Sequence, residues 1–481
     1  MAARMRNDTA GQLRRRRGRP LYAVRSARLD RCRSMNTSNE YRGAMAMNDI
    51  EQIKITGSGS ALQGVGHLAD GRAVFVPGAL PGEHVRIEIV REEKRYCVAE
   101  LLEVLSPSPD RRAPDCPLYG QCGGCQGRHM TYAATLEMKR RRVEDALQRI
   151  GGVPSPDVRP VLGCDDPLAL RNKAEFAVQH GRLCVTRAES HALMPVDRCA
   201  LMHPAINDML ALLNDMLPRT DAAHIKQVVL RASRSGDGML ILCADAPVTE
   251  QARALAVSAM AALPLIKSAW LIRQAHHAKH AVDGTAIHLA GHRTISETLL
   301  GLSFEISPQS FFQVNPLQAE RLYTAALRPL PHGGRVLDAY CGTGTITLAA
   351  ARRGFQALGI EIVAPAVEDA RRNAARNDLA RMASFMCADA AKAVPRLVSS
   401  GTKFDAAILD PPRKGADPKL LRALIAAEIG AISYVSCDPA TLARDMKLLR
   451  DEGGYALEWA QPVDMFPWTG HVETVCLLTH K

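Results

Sequence analysis

The 481-residue sequence has no run of about 18 uncharged apolar residues, so no transmembrane helix is expected. It has no signal-peptide apolar region. Its 13 cysteines are odd in number and spread along a long chain, which excludes a secreted disulfide framework. A reducing, cytoplasmic setting is the default expectation, in which clustered cysteines mean metal and isolated ones mean core packing or catalysis. No internal repeat is visible. Aromatic residues make up only 4% of the chain, but 47% is hydrophobic, so disorder throughout is excluded as well. The length suggests about three domains.

The net charge of +11 is unevenly placed. Residues 1–46 hold twelve Arg and three acids, a net of +9, leaving +2 for everything else. The basic balance is therefore a weak argument for nucleic-acid binding by the folded part. The segment has no periodicity that would bury a face, so it reads as a disordered basic tail or a mis-assigned start.

Residues 48–107 alternate short apolar runs with glycine-rich turns. Val85, Ile87 and Ile89 share one face, with Arg86 and Glu88 on the other. Five strands in so short a stretch predict a small OB-like barrel, a fold that serves either oligonucleotide binding or structure alone. Ser106-Pro107-Ser108-Pro109 is a linker, and a basic helix is expected over 132–150. Residues 108–300 read as a central α+β domain. From 301 to 481 strands alternate with helices, which predicts an α/β domain around a parallel sheet.

In that last domain Arg335-Val336-Leu337-Asp338 runs into Ala339-Tyr340-Cys341-Gly342-Thr343-Gly344 and then a helix. No third glycine follows at dinucleotide spacing, so a pyrophosphate would lack close backbone contact. The loop instead resembles the S-adenosylmethionine (SAM) loop of Rossmann-like methyltransferases. Glu361 ends the next strand, where a carboxylate can accept bonds from ribose hydroxyls, and Asp389 ends the third.

The fourth strand ends in Asp410-Pro411-Pro412-Arg413. Amino-directed methyltransferases carry an aromatic ring where Arg413 stands, which argues against an exocyclic nitrogen as acceptor. The fifth strand ends at Cys437-Asp438-Pro439, beside the cofactor crevice. A thiolate there has a use. Carbon 5 of a pyrimidine is a poor nucleophile until a thiolate adds to carbon 6, and a base must then remove the carbon 5 proton. Glu473 is the base candidate and His471 its rival.

Cys116, Cys122 and Cys125 form a tight group around Gly123-Gly124, with Cys199 the best candidate for a fourth ligand. Spacing alone permits a four-thiolate zinc site or an iron–sulfur cluster. The remaining cysteines, among them Cys164 and Cys387, are expected to be small buried hydrophobes.

Asp410-Pro-Pro-Arg413, Ser436-Cys437-Asp438-Pro439, His471-Val472-Glu473 and Phe311-Phe312-Gln313-Val314-Asn315 together resemble the RNA (uracil-5-)-methyltransferase family. So does Leu170-Arg171-Asn172-Lys173. The resemblance covers about residues 50–481. It implies a TRAM domain for the barrel, Cys437 as nucleophile and Glu473 as proton-abstracting base. It places Gln313, Tyr340, Thr345, Glu361, Asp389 and Asp410 at SAM or substrate-pocket positions, with Thr345 standing where Asn is common. It also implies a [4Fe–4S] cluster on Cys116, Cys122, Cys125 and Cys199. Phe311 is expected to stack on a base taken out of its helix. Uracil presents a ring N–H between two carbonyls, which the acceptor on Asp410 or Gln313 would read.

Members with four cysteines and this barrel are most similar to the bacterial 23S ribosomal RNA enzymes, so structured RNA is the expected partner. Neither a membrane nor an obligate protein partner is inferred. Transfer RNA is the alternative substrate, and a non-catalytic RNA-binding iron–sulfur protein the alternative class.

Overall fold

The computed structural model describes residues 50–220, 224–246, 249–274, 278–331 and 333–480. The basic tail and Cys32 lie outside the described residues. Among the described residues no helix is long and apolar enough to cross a membrane. The chain divides into two compact units. One comprises the residues up to Gly57 with Gly64–Ser108, the other Ser58–Gln63 with Pro109–Lys481.

The first sheet holds β1 (Ile50–Lys54), β2 (Gly57–Ser58), β3 (Gly64–His67), β4 (Ala73–Val76), β5 (His84–Glu92) and β6 (Tyr96–Ser106). Their order is β1-β5-β6-β4-β3-β2, one strand more than the five expected. The addition is the two-residue β2, too short to leave an alternating pattern. Val85 and Ile87 are fully buried while Arg86 faces outward, as the alternation dictates. The Thr56 N–H donates to the Val65 carbonyl at 2.8 Å, so the end of β1 meets β3 and the sheet curls onto itself. Gly66 permits that approach, because a Cβ there would lie 2.8 Å from the Lys54 carbonyl oxygen.

In the second unit, α1 (Tyr132–Arg149) leads to a seven-stranded sheet of β7 (Lys173–Gln179), β8 (Arg182–Thr186), β9 (Leu193–Pro195), β10 (Ile225–Ala232), β11 (Gly238–Ala244), β12 (Ile266–Gln274) and β13 (Gly284–Gly291). Its order is β13-β12-β11-β10-β7-β8-β9, with α2 (Pro204–Met216) and α3 (Thr249–Ala262) packed on it. A hairpin of β14 (Ile295–Leu299) and β15 (Leu302–Ile306) then leads to α4 (Pro316–Leu327).

The last sheet is built from β16 (Arg335–Asp338), α5 (Thr345–Arg352), β17 (Gln356–Glu361), α6 (Ala364–Arg376), β18 (Ala383–Cys387), α7 (Ala390–Ser399), β19 (Ala406–Leu409), α8 (Pro418–Ala426), β20 (Ala431–Ser436), α9 (Pro439–Gly453), β21 (Tyr455–Val463) and β22 (Glu473–His480). The order is β18-β17-β16-β19-β20-β22-β21. The five strands from β18 to β20 run parallel, and β22 is antiparallel to both its neighbours. Ala406–Leu409 is buried at every position, as a strand covered on both faces should be. The chain starts in the middle at β16, works outward to β18 and returns to β19. That reversal opens a crevice between the C-terminal ends of β16 and β19, the place where ligands bind in such sheets.

The run expected as a basic helix is α1, but its Lys139 does not face solvent. It is 1% exposed and ion-pairs with Asp464, itself fully buried. Lys139 also donates to the Phe466 carbonyl at 2.9 Å, and the Tyr132 hydroxyl donates to Asp464 at 2.7 Å. These bonds fasten α1 to the segment between β21 and β22. Removing one partner of a buried ion pair leaves the other charge uncompensated. Lys139→Ala should therefore lower unfolding free energy by about 3–5 kcal/mol in denaturant titration; a loss below about 1 kcal/mol would contradict the pairing.

Candidate active site

Two short turns set the crevice floor. After β16, Gly342 and Gly344 adopt φ of +52° and +85°, the left-handed region open to glycine. A Cβ on Gly344 would lie 3.0 Å from the Phe385 ring and 3.1 Å from Ala370. The turn ends as α5 begins. Asp338, the last residue of β16, is buried and accepts from the Thr347 hydroxyl at 2.7 Å. Burial pushes its carboxyl up to about 6.

Glu361 ends β17 with both oxygens oriented by backbone. The Gly342 N–H reaches one at 3.2 Å and the Val363 N–H the other at 2.9 Å. Asp389 caps α7 through the Ala391 N–H at 3.0 Å. Its charge reaches the half-buried Tyr340 hydroxyl, which burial pushes up to about 12. Asp410, one residue past β19, is raised to about 7 by burial and then by Asp338 across the crevice.

Cys437 owes its place to a capped helix start. The Asp438 carboxylate accepts from Ala440 and Thr441 N–H at 2.9 and 3.0 Å, and Pro439 opens α9. The Asp438 N–H donates to the Ser436 hydroxyl at 3.1 Å, which fixes the turn around the cysteine. Glu473 opens β22, and Ser436 of β20 pairs with Thr474. This register brings Cys437 and Glu473 side by side.

Burial raises Glu473 to about 8, helped by Asp410 and opposed by Arg413. Burial raises Cys437 to about 11, helped by Glu473 and Asp410 and again opposed by Arg413. Three crowded carboxyls thus hold protons that isolated carboxyls would release. Among the described residues, exposed Arg413 is the cation that opposes the rise at both Cys437 and Glu473.

The Phe311-Phe312-Gln313-Val314-Asn315 run enters the same crevice. Phe312 packs inward against Phe304, with ring centroids 5.8 Å apart, whereas Phe311 is 70% exposed. Asn172 ties this run to the Arg171-Asn172-Lys173 segment, its N–H donating to Val314 O at 2.9 Å and its side chain to Gln313 O at 3.2 Å. Gln313 and Thr345 both lie within hydrogen-bonding reach of the Tyr323 hydroxyl, which also feels Asp410 and Glu473. Tyr323, on the buried face of α4, is a site residue that the sequence reading missed. A hydroxyl carried on an apolar helical stripe, ten residues after Gln313, was the available signal, because such a group needs a partner.

Tyr323 thus links Gln313 and Thr345 to Asp410 and Glu473, and Cys437 adjoins the same two carboxyls. His471 stands apart, exposed and against the Phe466 ring with centroids 5.9 Å apart. Burial and the cations Arg413, Arg142 and Lys139 depress its pKa.

The cysteine group lies elsewhere in the unit. The Gly123 N–H donates to Thr186 O at 3.1 Å and the Ala188 N–H to Gln121 O at 2.8 Å, pinning the loop to the end of β8. The Gly124 N–H points at the Cys122 sulfur at 3.4 Å. Asn207 brackets Cys199 through its N–H and carbonyl, at 2.9 and 3.0 Å. Burial and then the charges of Cys199, Cys122 and Cys116 push the Cys125 thiol up to about 12, so the four thiols are mutual neighbours. Among the described residues no three His, Cys, Asp or Glu side chains close on a single metal ion. Of the other cysteines, five are buried as expected. Cys387 is exposed at the end of edge strand β18, and Cys164 is half-buried beside Asp464.

Residues 131–481 match the tRNA (Uracil-5-)-methyltransferase family model, and residues 48–102 match the TRAM domain. The chain belongs to this methyltransferase family. An RNA methyltransferase of Halalkalibacterium halodurans is 36% identical over 453 residues, spanning 90% of this chain and 98% of the relative. One from Caldanaerobacter subterraneus is 38% identical over 446 residues, spanning 89% and 97%. A solved structure, the tRNA (uracil-54, C5)-methyltransferase of Pyrococcus abyssi in complex with S-adenosyl-L-homocysteine, matches with TM-score 0.72 and 25% identity. That match covers 89% of this chain and 100% of the archaeal one. As a family member the protein is a SAM-dependent RNA methyltransferase with an N-terminal TRAM domain.

The raised carboxyls give stability a testable pH dependence. Folded Glu473 keeps its proton up to about pH 8, against an ordinary value of 4.5. Between those values the folded state binds more protons than the unfolded chain, so unfolding free energy falls as pH rises. Glu473→Gln should match wild type near pH 4 and become the more stable of the two by pH 8 in denaturant melts. Parallel pH profiles would contradict the assigned environment.

Proposed function

We propose that the protein methylates carbon 5 of a uridine in 23S ribosomal RNA through a covalent adduct between Cys437 and carbon 6. The observation that carries this reading is the pairing of Cys437 with Glu473 at the ends of adjacent strands, beside Asp410. SAM supplies the methyl group as an electrophile on a positively charged sulfur.

The residues divide the remaining work. Glu361, Asp389 and Tyr340 hold the nucleoside end of SAM, with Glu361 on the ribose hydroxyls. Gln313, Thr345 and Asp410 line the path to the acceptor. A cation in the crevice offsets the burial and the neighbouring charge that keep Asp410 and Glu473 protonated, and so readies Glu473 as a carboxylate. Phe311 stacks on the extruded uracil, while Asp410 or Gln313 accepts from its ring N–H.

The Cys437 sulfur bonds to carbon 6, its proton leaving to solvent, and the ring π electrons move to the carbon 4 oxygen. Carbon 5 then takes the methyl group, and S-adenosylhomocysteine departs. Glu473 removes the carbon 5 proton, the carbon–sulfur bond breaks, and the double bond re-forms. Arg413 stabilises both anions in turn.

The four thiols of Cys116, Cys122, Cys125 and Cys199 are the proposed ligands of a [4Fe–4S] cluster. A zinc ion would draw four sulfurs into one tetrahedron, with zinc–sulfur bonds of about 2.3 Å, whereas a cubane takes them further apart. Backbone N–H groups of Leu201 and Met202 face the Cys199 sulfur, a donor arrangement that suits a thiolate ligand. Transfer RNA is the second reading, favoured by the substrate of the structurally similar Pyrococcus abyssi enzyme.

Mapping 5-methyluridine in both RNA classes from a deletion strain separates the two substrates. Loss from 23S ribosomal RNA is expected, and loss from transfer RNA alone would overturn that assignment. Cys437→Ala should abolish methylation while leaving SAM affinity unchanged. Glu473→Gln should transfer methyl but stall, building up a denaturant-resistant protein–RNA complex; turnover by either variant at the wild-type rate would refute its role.

A further inference from the structure

Glu473 is positioned from one side by β20. From the other it depends on the nine-residue segment 464–472, which joins paired residues Val463 and Glu473. That segment could swing freely, but it is clamped. Asp464 and the Phe466 carbonyl are held by Tyr132 and Lys139 of α1. The Gly470 carbonyl accepts from Arg142 at 2.5 Å. The Thr469 hydroxyl donates to Phe466 O at 2.8 Å and accepts from the His471 N–H at 3.2 Å, which folds the segment's second half on its first.

The remaining anchor is Trp468. Its backbone carbonyl accepts two bonds, from the Gln126 and Gly127 N–H groups, each at 2.9 Å. Those donors directly follow Cys125. Offering the carbonyl there requires φ of +63°, a left-handed conformation that bulky residues rarely adopt. The side chain holds it. The indole is 2% exposed, lies 5.3 Å from the Tyr132 ring and donates to Pro167 O at 3.1 Å. The Arg112 and Arg128 guanidinium groups sit 4.9 and 5.4 Å from its centroid. Arg128, 2% exposed, is oriented by Asp115 at 2.7 Å, next to Cys116. The two ends of the cysteine loop therefore grip one tryptophan, five residues before the base. The strain at this non-glycine residue is sustained by packing, the pattern expected where backbone geometry serves a site.

We propose that Trp468 is a positioning residue which couples the cysteine loop to Glu473, so that the loop's integrity sets proton abstraction rather than SAM binding or methyl transfer. The inference rests on the covalent reading above. A base displaced by about 1 Å loses roughly a hundredfold in rate. The thiol step and the cofactor residues, held by other strands, are spared.

The test uses the full-length protein with unmodified uridine RNA and reads three quantities: SAM affinity, single-turnover methyl transfer and the steady-state fraction of denaturant-resistant complex. Trp468→Ala should keep SAM affinity within about twofold, transfer methyl near the wild-type rate and slow turnover about a hundredfold as complex accumulates. Trp468→Phe keeps a ring between Tyr132 and the arginines and should rescue most turnover. Should the alanine variant not fold, the phenylalanine variant, which lacks only the bond to Pro167, should show the same split at smaller amplitude. Equal loss of methyl transfer and release, or turnover unchanged, would overturn the coupling. Glu473→Gln run alongside separates the premises, since its failure to accumulate complex would remove the base assignment itself.

Discussion

The site depends on the pairing of β20 with β22. β20 is the last parallel strand and delivers Cys437 at its C-terminal end. β22 runs the other way, inserted between β20 and β21, so its first residue arrives at the same end. Ser436 opposite Thr474 fixes the register that sets Cys437 beside Glu473. A one-residue slip would turn Glu473 to the opposite face. Fully buried flanking residues, Val435 and Tyr434 on one strand and Val475 and Cys476 on the other, forbid that slip.

Within this frame charge is left deliberately uneven. Asp338, Asp410 and Glu473 crowd the crevice and are raised by burial to about 6, 7 and 8. The arrangement is costly in an empty pocket and becomes favourable when a cation enters. In the proposed reaction a sulfonium would match that need, and its departure as a neutral thioether would remove the compensation once the methyl group has left. On that proposal, proton affinity at Glu473 would follow the progress of transfer, with Arg413 opposing its rise.

Much of this was legible in the sequence because chemistry sits at strand ends. Asp338, Glu361, Asp389, Asp410 and Cys437 each follow a short apolar run, and a parallel sheet gathers such ends on one rim. Other parts were not legible, for physical reasons. Tyr323 lies on an ordinary amphipathic helix face, and only the third dimension shows what its hydroxyl meets. The buried ion pair of Lys139 could not be read from the basic helix, because nothing local signals an acid 325 residues away. Trp468 acts through its main-chain carbonyl, which no side-chain pattern encodes. β2 is too short to show alternation, and the exposure of Cys387 follows from β18 being an edge strand.

The central claim is that one sulfur, at Cys437, bonds to the pyrimidine. RNA carrying 5-fluorouridine tests it most directly, since fluorine at carbon 5 cannot leave as a proton does and the adduct persists. Digestion of the trapped complex and mass spectrometry of its peptides should find the methylated fluoronucleotide on Cys437. A nucleotide on Cys341, Cys387 or any other residue, or a complex that never forms, would contradict the account.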